Sequence, residues 1–228
     1  MKSSDTSRST GPRQRLSASL DRQEGARSAR DRTLIIAPPA AVVYLKKLIR
    51  HLSLPGDFTL VDHHLSTPGE FMVQANQHHQ HSGPFRRIFA LLDLPEGEPA
   101  FKQFYKGVRE QIRYHDIGGS CLFRALFSRP DFSLWQSLHT TIPEIPSDPS
   151  LCGEWSLQLS RQGKQLFQDL EESDLLEGAN NPLDMAIRQA QRLARIRALR
   201  PNDQQFPFTE VHELIVYLLR IRQRAHPP

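Results

Sequence analysis

Apolar residues fall into short β-branched runs separated by longer stretches with helical spacing. Thr33-Leu34-Ile35-Ile36-Ala37 is a continuous apolar run ending at Pro38-Pro39, and it reads as a buried strand. Ala41, Val42, Leu45, Leu48, Ile49 and Leu52 then recur at the period of one helix face. Pro55-Gly56 makes a turn, and Phe58-Thr59-Leu60-Val61 is a second strand. Thr67, Pro68 and Glu70 mark a helix start: a hydroxyl cap, a proline at the first position and a glutamate closing the capping box. Arg87 to Leu92 is a third strand running into Asp93, and a helix follows from about Glu98 to Tyr114. Gly118-Gly119 separates it from a fourth strand, Leu122 to Phe127, and Pro130 opens a helix through Trp135 to His139.

Strands alternating with helices predict an α/β fold with a mostly parallel four-stranded sheet flanked by helices. The proline-rich stretch from Ile142 to Pro149 changes the texture, and everything after it reads as helical. Asn181-Pro182-Leu183-Asp184 caps a helix to about Leu199, with Leu183, Ile187, Ala190 and Leu193 in one stripe. Thr209 caps a last helix that carries Val211, Leu214, Ile215, Leu218 and Leu219 on one face. The expected organisation is a disordered basic arm at 1–32, an α/β core at 33–140 and a helical C-terminal extension at 141–228 packed on the same domain. The sequence has no internal repeat.

Composition narrows the class. With 38% hydrophobic residues in 228, the chain has enough apolar side chains for a core, and no apolar run approaches the ~18–20 residues that cross a bilayer. The N-terminus is polar and arginine-rich without an apolar stretch, so neither a membrane anchor nor a secretory signal is expected. Two cysteines, Cys121 and Cys152, supply neither a disulfide framework nor a four-cysteine zinc site. A soluble, cytoplasmic protein is the expectation. The net charge of +4 is divided unevenly: +4 over residues 1–32, −5 over 33–184 and +5 over 185–228.

In an open α/β sheet, ligands bind beyond the carboxyl ends of the strands. The end of the first strand, Ala37 to Ala41, has neither a glycine-rich phosphate cradle nor a charge. The end of the third carries Asp93, Glu96 and Glu98, oxygen donors of the kind that hold magnesium, or an acidic turn favoured at a helix N-terminus. The end of the fourth is Ser128-Arg129-Pro130-Asp131, a capping turn that can also hold a phosphate. His63, His64, His78, His79 and His81 cluster in sequence, but the last three have no cysteine or matched carboxylate, so a solvated loop is favoured over zinc. Arg188, Arg192 and Arg195 share a helix face that Arg197 and Arg200 extend, and Arg220, Arg222 and Arg224 close the chain. Such rows either neutralise phosphates or are solvated faces.

The order of these segments resembles the RloB-like family, whose domain is of the topoisomerase–primase (TOPRIM) type. Ser128, Pro130, Phe132, Trp135 and His139 match its Ser-Asn-Pro-x-Phe-Glu-x-Trp-x-x-x-His segment. Pro207, Thr209, Val211 and Leu214 match its last helix, and Ala186 and Ala190 its Ala-x-x-x-Ala spacing, so that the likeness spans about residues 30–220. The departures fall on acidic positions. Ala37 to Val43 has no acid where the family has a glutamate-rich loop, and Pro95 stands at the second aspartate of the Asp-x-Asp motif begun by Asp93. Ser133 replaces the family's glutamate and Arg129 its asparagine. The resemblance implies a bacterial defence protein, a partner ATPase and a magnesium-dependent nuclease ancestry. The lost acids imply a catalytically degenerate member that needs no cofactor and acts through binding to that ATPase or to DNA or RNA. The alternatives are an active nuclease whose magnesium site is rebuilt from Asp93, Glu96 and Glu98, and a basic adaptor with no nucleic-acid role.

Overall fold

A computed structural model describes residues 32–63, 67–82, 84–94, 102–108, 110, 121–169, 181–200, 203 and 205–225. Four strands, β1 (Arg32–Ala37), β2 (Asp57–Asp62), β3 (Arg87–Asp93) and β4 (Leu122–Arg129), run parallel in the order β2-β1-β3-β4. Strand β1 is apolar from Leu34 to Ala37 because both faces are covered there. Its Ile35 and Ala37 join one core layer, and Leu34 and Ile36 join the other. Strand β3 divides in the same way, with Phe89 and Leu91 on one side and Ile88, Ala90 and Leu92 on the other.

The first layer is the larger. Helix α1 (Pro39–His51) returns from β1 and buries Ala41, Val42, Tyr44, Leu45 and Leu48 against the sheet. Short helix α3 (Ser133–Ser137), then α4 (Cys152–Asp169), α5 (Pro182–Leu199) and α6 (Val211–Ala225) pack on the same side. Leu183, Ala186, Ala190 and Leu193 of α5 and Val211, Leu214, Ile215 and Leu218 of α6 thus share a cluster with β1, β3 and β4. Helix α2 (Pro68–Ser82) and the helical residues 102–108 cover the other face, with Phe71, Met72, Ala75 and Val108 buried there. The capping box of α2 closes in both directions: the Thr67 amide donates to Glu70 Oε2 at 3.1 Å and the Glu70 amide to Thr67 Oγ1 at 3.3 Å.

Several sequence expectations are corrected. The sheet has five strands, because Phe208–Thr209 forms β5, antiparallel to β4 through Ser128↔Thr209 and Arg129↔Phe208. Two residues ahead of a helix cap leave no alternation for a sequence pattern to register. Arg32, assigned to the arm, opens β1 and is bound to Asp57 at 2.8 Å. Strand β4 continues past Phe127 to Arg129, and the helix after Pro130 begins only at Ser133 and ends at Ser137. His78, His79 and His81 are helical rather than in a loop, because α2 propagates through them from its capped start. Residues 1–31, Glu96 and Glu98 lie outside the described residues. Among those described, no helix is long and apolar enough to cross a membrane.

Candidate functional site at the carboxyl edge

Strand order places the topological switch between β1 and β3, where connections leave in opposite directions and open α/β sheets bind ligands. On the β1 side, α1 starts at Pro39 without a side-chain cap. On the other, Asp93 ends β3 in register with Ser128 of β4. The turn after β4 brings a second carboxylate, Asp131, close enough to act on Asp93. The Asp93 carboxyl accepts the Phe132 amide. Asp131 Oδ1 accepts the Ser133 amide and the Ser160 hydroxyl, each at 2.9 Å, while its Oδ2 meets Lys164 Nζ at 3.0 Å.

The α4 contribution depends on a glycine. Ser160, Gly163 and Lys164 lie on one face of that helix, at i, i+3 and i+4. A Cβ on Gly163 would overlap the Ser133 carbonyl and lie 3.0 Å from the Ser137 amide nitrogen. Its absence lets α4 approach α3 closely enough for Ser160 and Lys164 to reach Asp131. Burial pushes the Asp93 carboxyl up to about 7, and the negative Asp131 adds to the rise; the Phe132 amide and Lys164 oppose it. Asp93 thus exchanges a proton near neutrality, whereas Asp131 is held by an ammonium, a hydroxyl and an amide.

The resemblance implies magnesium here. Magnesium demands a near-octahedral oxygen shell and dehydrates reluctantly. The two acids that converge are Asp93, which binds a proton near pH 7, and Asp131, whose Oδ2 already faces a cation on α4. Among the described residues no group of three or more histidine, cysteine, aspartate or glutamate side chains is arranged to hold a metal. The residues described do not fit a magnesium cage.

The residues matching the family segments form one unit beside this edge. Ser128 Oγ and Thr209 Oγ1 are 2.9 Å apart and buried, and Thr209 Oγ1 also accepts the Val211 amide at 3.3 Å. Glu210 completes the join: its amide donates to Phe127 O at 2.8 Å, and its Oε2 accepts the Phe127 amide at 3.1 Å. Phe132, Trp135 and His139 surround Tyr44 edge-on, with ring centroids 5.7, 6.5 and 5.7 Å away. His139 Nδ1 lies 3.1 Å from Trp135 O and 3.2 Å from Gln136 O, so it carries the proton. Nε2 is then the acceptor for Tyr44 Oη, at 3.1 Å. Burial pushes His139 down to about 4 and the Tyr44 phenol up. This histidine is neutral, satisfied and architectural.

The remaining candidates separate by exposure. Arg188, Arg192 and Arg195 are exposed on α5, as their spacing predicts. Arg197 and Arg200 leave that surface: Arg197 stacks 3.3 Å from the Phe208 ring centroid, and Arg200 donates to Pro146 O at 3.1 Å and lies over Phe206. His63 is buried at the end of β2 and donates from Nε2 to Leu91 O at 2.9 Å. Cys152 is buried, and its thiol is pushed up to about 11, chiefly by burial and then by Asp203, which makes it a poor nucleophile. Sequence reasoning missed Ser160, Gly163, Lys164 and Tyr44. The i, i+3, i+4 spacing on α4 was the one signal for the first three. Comparison with protein-family models, curated proteins and solved structures finds no match.

Proposed function

We propose that the chain is an RloB-like protein with a TOPRIM-type core from a bacterial antiviral, abortive-infection system. It is a catalytically degenerate nuclease that acts by binding a partner ATPase, nucleic acid or both. The observation that carries this reading is the junction of the two matching segments. Ser128 and Thr209, 81 residues apart, share a buried hydrogen bond, and Phe132, Trp135 and His139 close around Tyr44 beside it. The scaffold part of the motif therefore has a physical role here. Support for degeneracy comes from the acidic part: Ala37-Pro38-Pro39 replaces the glutamate loop, and Asp131 has Lys164 against it.

A titration of magnesium or manganese into the full chain, with single- and double-stranded DNA and RNA, tests the reading. No cleavage is expected at any metal concentration. Cleavage that disappears in Asp93→Ala would overturn degeneracy in favour of an active enzyme using Asp93, Glu96 and Glu98. Absence of any salt-dependent binding to DNA or RNA, with an ATPase still co-purifying, would leave the adaptor reading in its place.

A further inference from the structure

We infer that the opposite, amino edge of the sheet is a docking groove for single-stranded nucleic acid, an inference that rests on the nucleic-acid part of the proposed function and locates it. Because β1 to β4 are parallel, all four begin at this edge. The register sets Arg32 beside Asp57, and Arg87 between Thr33 and Leu122. Helix α1 ends here with Arg50 and His51 in its last turn. Helix α6 follows β5, which is antiparallel to β4, and so crosses the same face toward the amino edge. Its Glu213 meets Arg124 in β4 at 3.0 Å, and its Tyr217 ring packs on Phe89 with centroids 5.1 Å apart. Its last turns bring Arg220, Arg222 and Arg224, all exposed, to this edge.

Between α6 and the strand starts lies a groove of about 350 Å³, lined by Pro55, Gly56, Phe58, Arg87, Tyr217 and Arg224 among others. Its rings are held in place. Arg87 Nη1 donates to Tyr217 Oη at 2.7 Å, Tyr217 Oη lies 3.3 Å from Thr33 Oγ1, and Phe58 is fixed in β2 beside Thr33. The one acid in the strand-start row, Asp57, is bound to Arg32. Arg220, Arg222 and Arg224 of α6 thus gather with Arg32 and Arg87 at the amino edge, away from Asp93 and Asp131.

Arginines neutralise phosphates on any polyanion, but a half-buried ring at the groove wall adds stacking, which only unpaired bases offer. Tyr217 is already covered by Phe89 and by the Arg87 guanidinium, 4.7 Å from its ring centroid, so the stacking surface is Phe58, and its pairing with Arg224 selects a single strand over a duplex or an anionic membrane. The exposed row on α5 supplies charge along one helix face and serves as the internal comparison.

Fluorescence anisotropy on the full chain, with labelled oligo-dT and oligo-U of about 15 nucleotides, tests the inference. Arg220→Glu with Arg224→Glu is expected to weaken binding at least about tenfold and to flatten its salt dependence. Phe58→Leu, which keeps the bulk of an apolar strand residue, is expected to weaken it roughly tenfold with little change in salt dependence. Arg188→Glu with Arg192→Glu should leave binding within about twofold. Loss of binding in the α5 pair with the α6 pair unaffected would overturn the groove while leaving nucleic-acid binding intact. Equal affinity for duplexes or anionic vesicles, unchanged by Phe58→Leu, would overturn the single-strand assignment. No binding to either oligomer would overturn the inference and the nucleic-acid part of the proposed function together.

Discussion

The segment from Ser128 to His139 supplies two polar groupings with opposite character. At one end, Asp131 joins Asp93 in a pair of like charges that only part of the surroundings relieves. At the other, His139 and Tyr44 form a sealed chain in which the Tyr44 hydroxyl donates to Nε2 and the Nδ1 proton is shared by the Trp135 and Gln136 carbonyls. The first keeps a group titrating near neutrality; the second removes an imidazole from that range. Residue type alone would have assigned chemistry to the histidine, and its buried, satisfied setting removes it.

The comparison is broken most severely at the sealed end. Trp135 is fully buried between α3 and Tyr44, and Trp135→Ala should cost about 3–5 kcal/mol in urea denaturation, against little change in the midpoint of Asp93. Next in size is the pH dependence. Asp93 binds its proton more tightly folded than unfolded, so its contribution is complete below about pH 4 and is lost as pH rises through about 7. Asp93→Asn should therefore raise stability at pH 8 by about 2–4 kcal/mol relative to the parent. His139, pushed down to about 4, acts in the opposite sense: its contribution is present above about 6.5 and is lost as pH falls through 4. The two oppose each other between those limits, so stability profiles of Asp93→Asn should show an acid-side loss that the parent masks.

Smaller perturbations sharpen the acidic end. Gly163→Ala should destabilise by about 1–3 kcal/mol, because its methyl group meets the Ser133 carbonyl and must push α4 away from α3. Lys164→Met should change stability by less than about 1 kcal/mol, as befits an exposed ion pair. It should nevertheless move the Asp93 titration further upward, seen in its carboxyl carbon shift by NMR.

The sequence displayed the parts of the fold that repeat along the chain and concealed those that depend on two distant segments meeting. Strands β1 and β3 were legible because buried parallel strands are nearly continuous apolar runs, β2 and β4 from shorter apolar runs bounded by turn residues, and α1, α5 and α6 because their stripes keep a helical period. Strand β5 was not, since its two residues pair with Ser128 and Arg129 from far away. Asp93 was recognised from its place at a strand end. Glu96 and Glu98, expected as its partners nearby in sequence, lie outside the described residues, and among those described Asp131 from the turn after β4 and a counter-charge from α4 act on it. Arg197 and Arg200 obeyed the spacing of a basic face, but aromatic rings from the 206–208 segment draw them inward.

The Ser128–Thr209 bond also constrains the order in which the molecule can be made. Until Thr209 has been synthesised, the outer edge of β4 at Ser128 and Arg129 lacks its partner strand and Phe127 has no Glu210 to cap it. A growing chain can assemble β1 to β3 with their helices long before that point, but its last parallel strand waits for a residue 81 positions after Ser128. The nascent protein is thus most exposed to edge-to-edge association in the interval between emergence of β4 and arrival of β5. A stalled ribosome in that interval would present an open strand edge to any chain beside it.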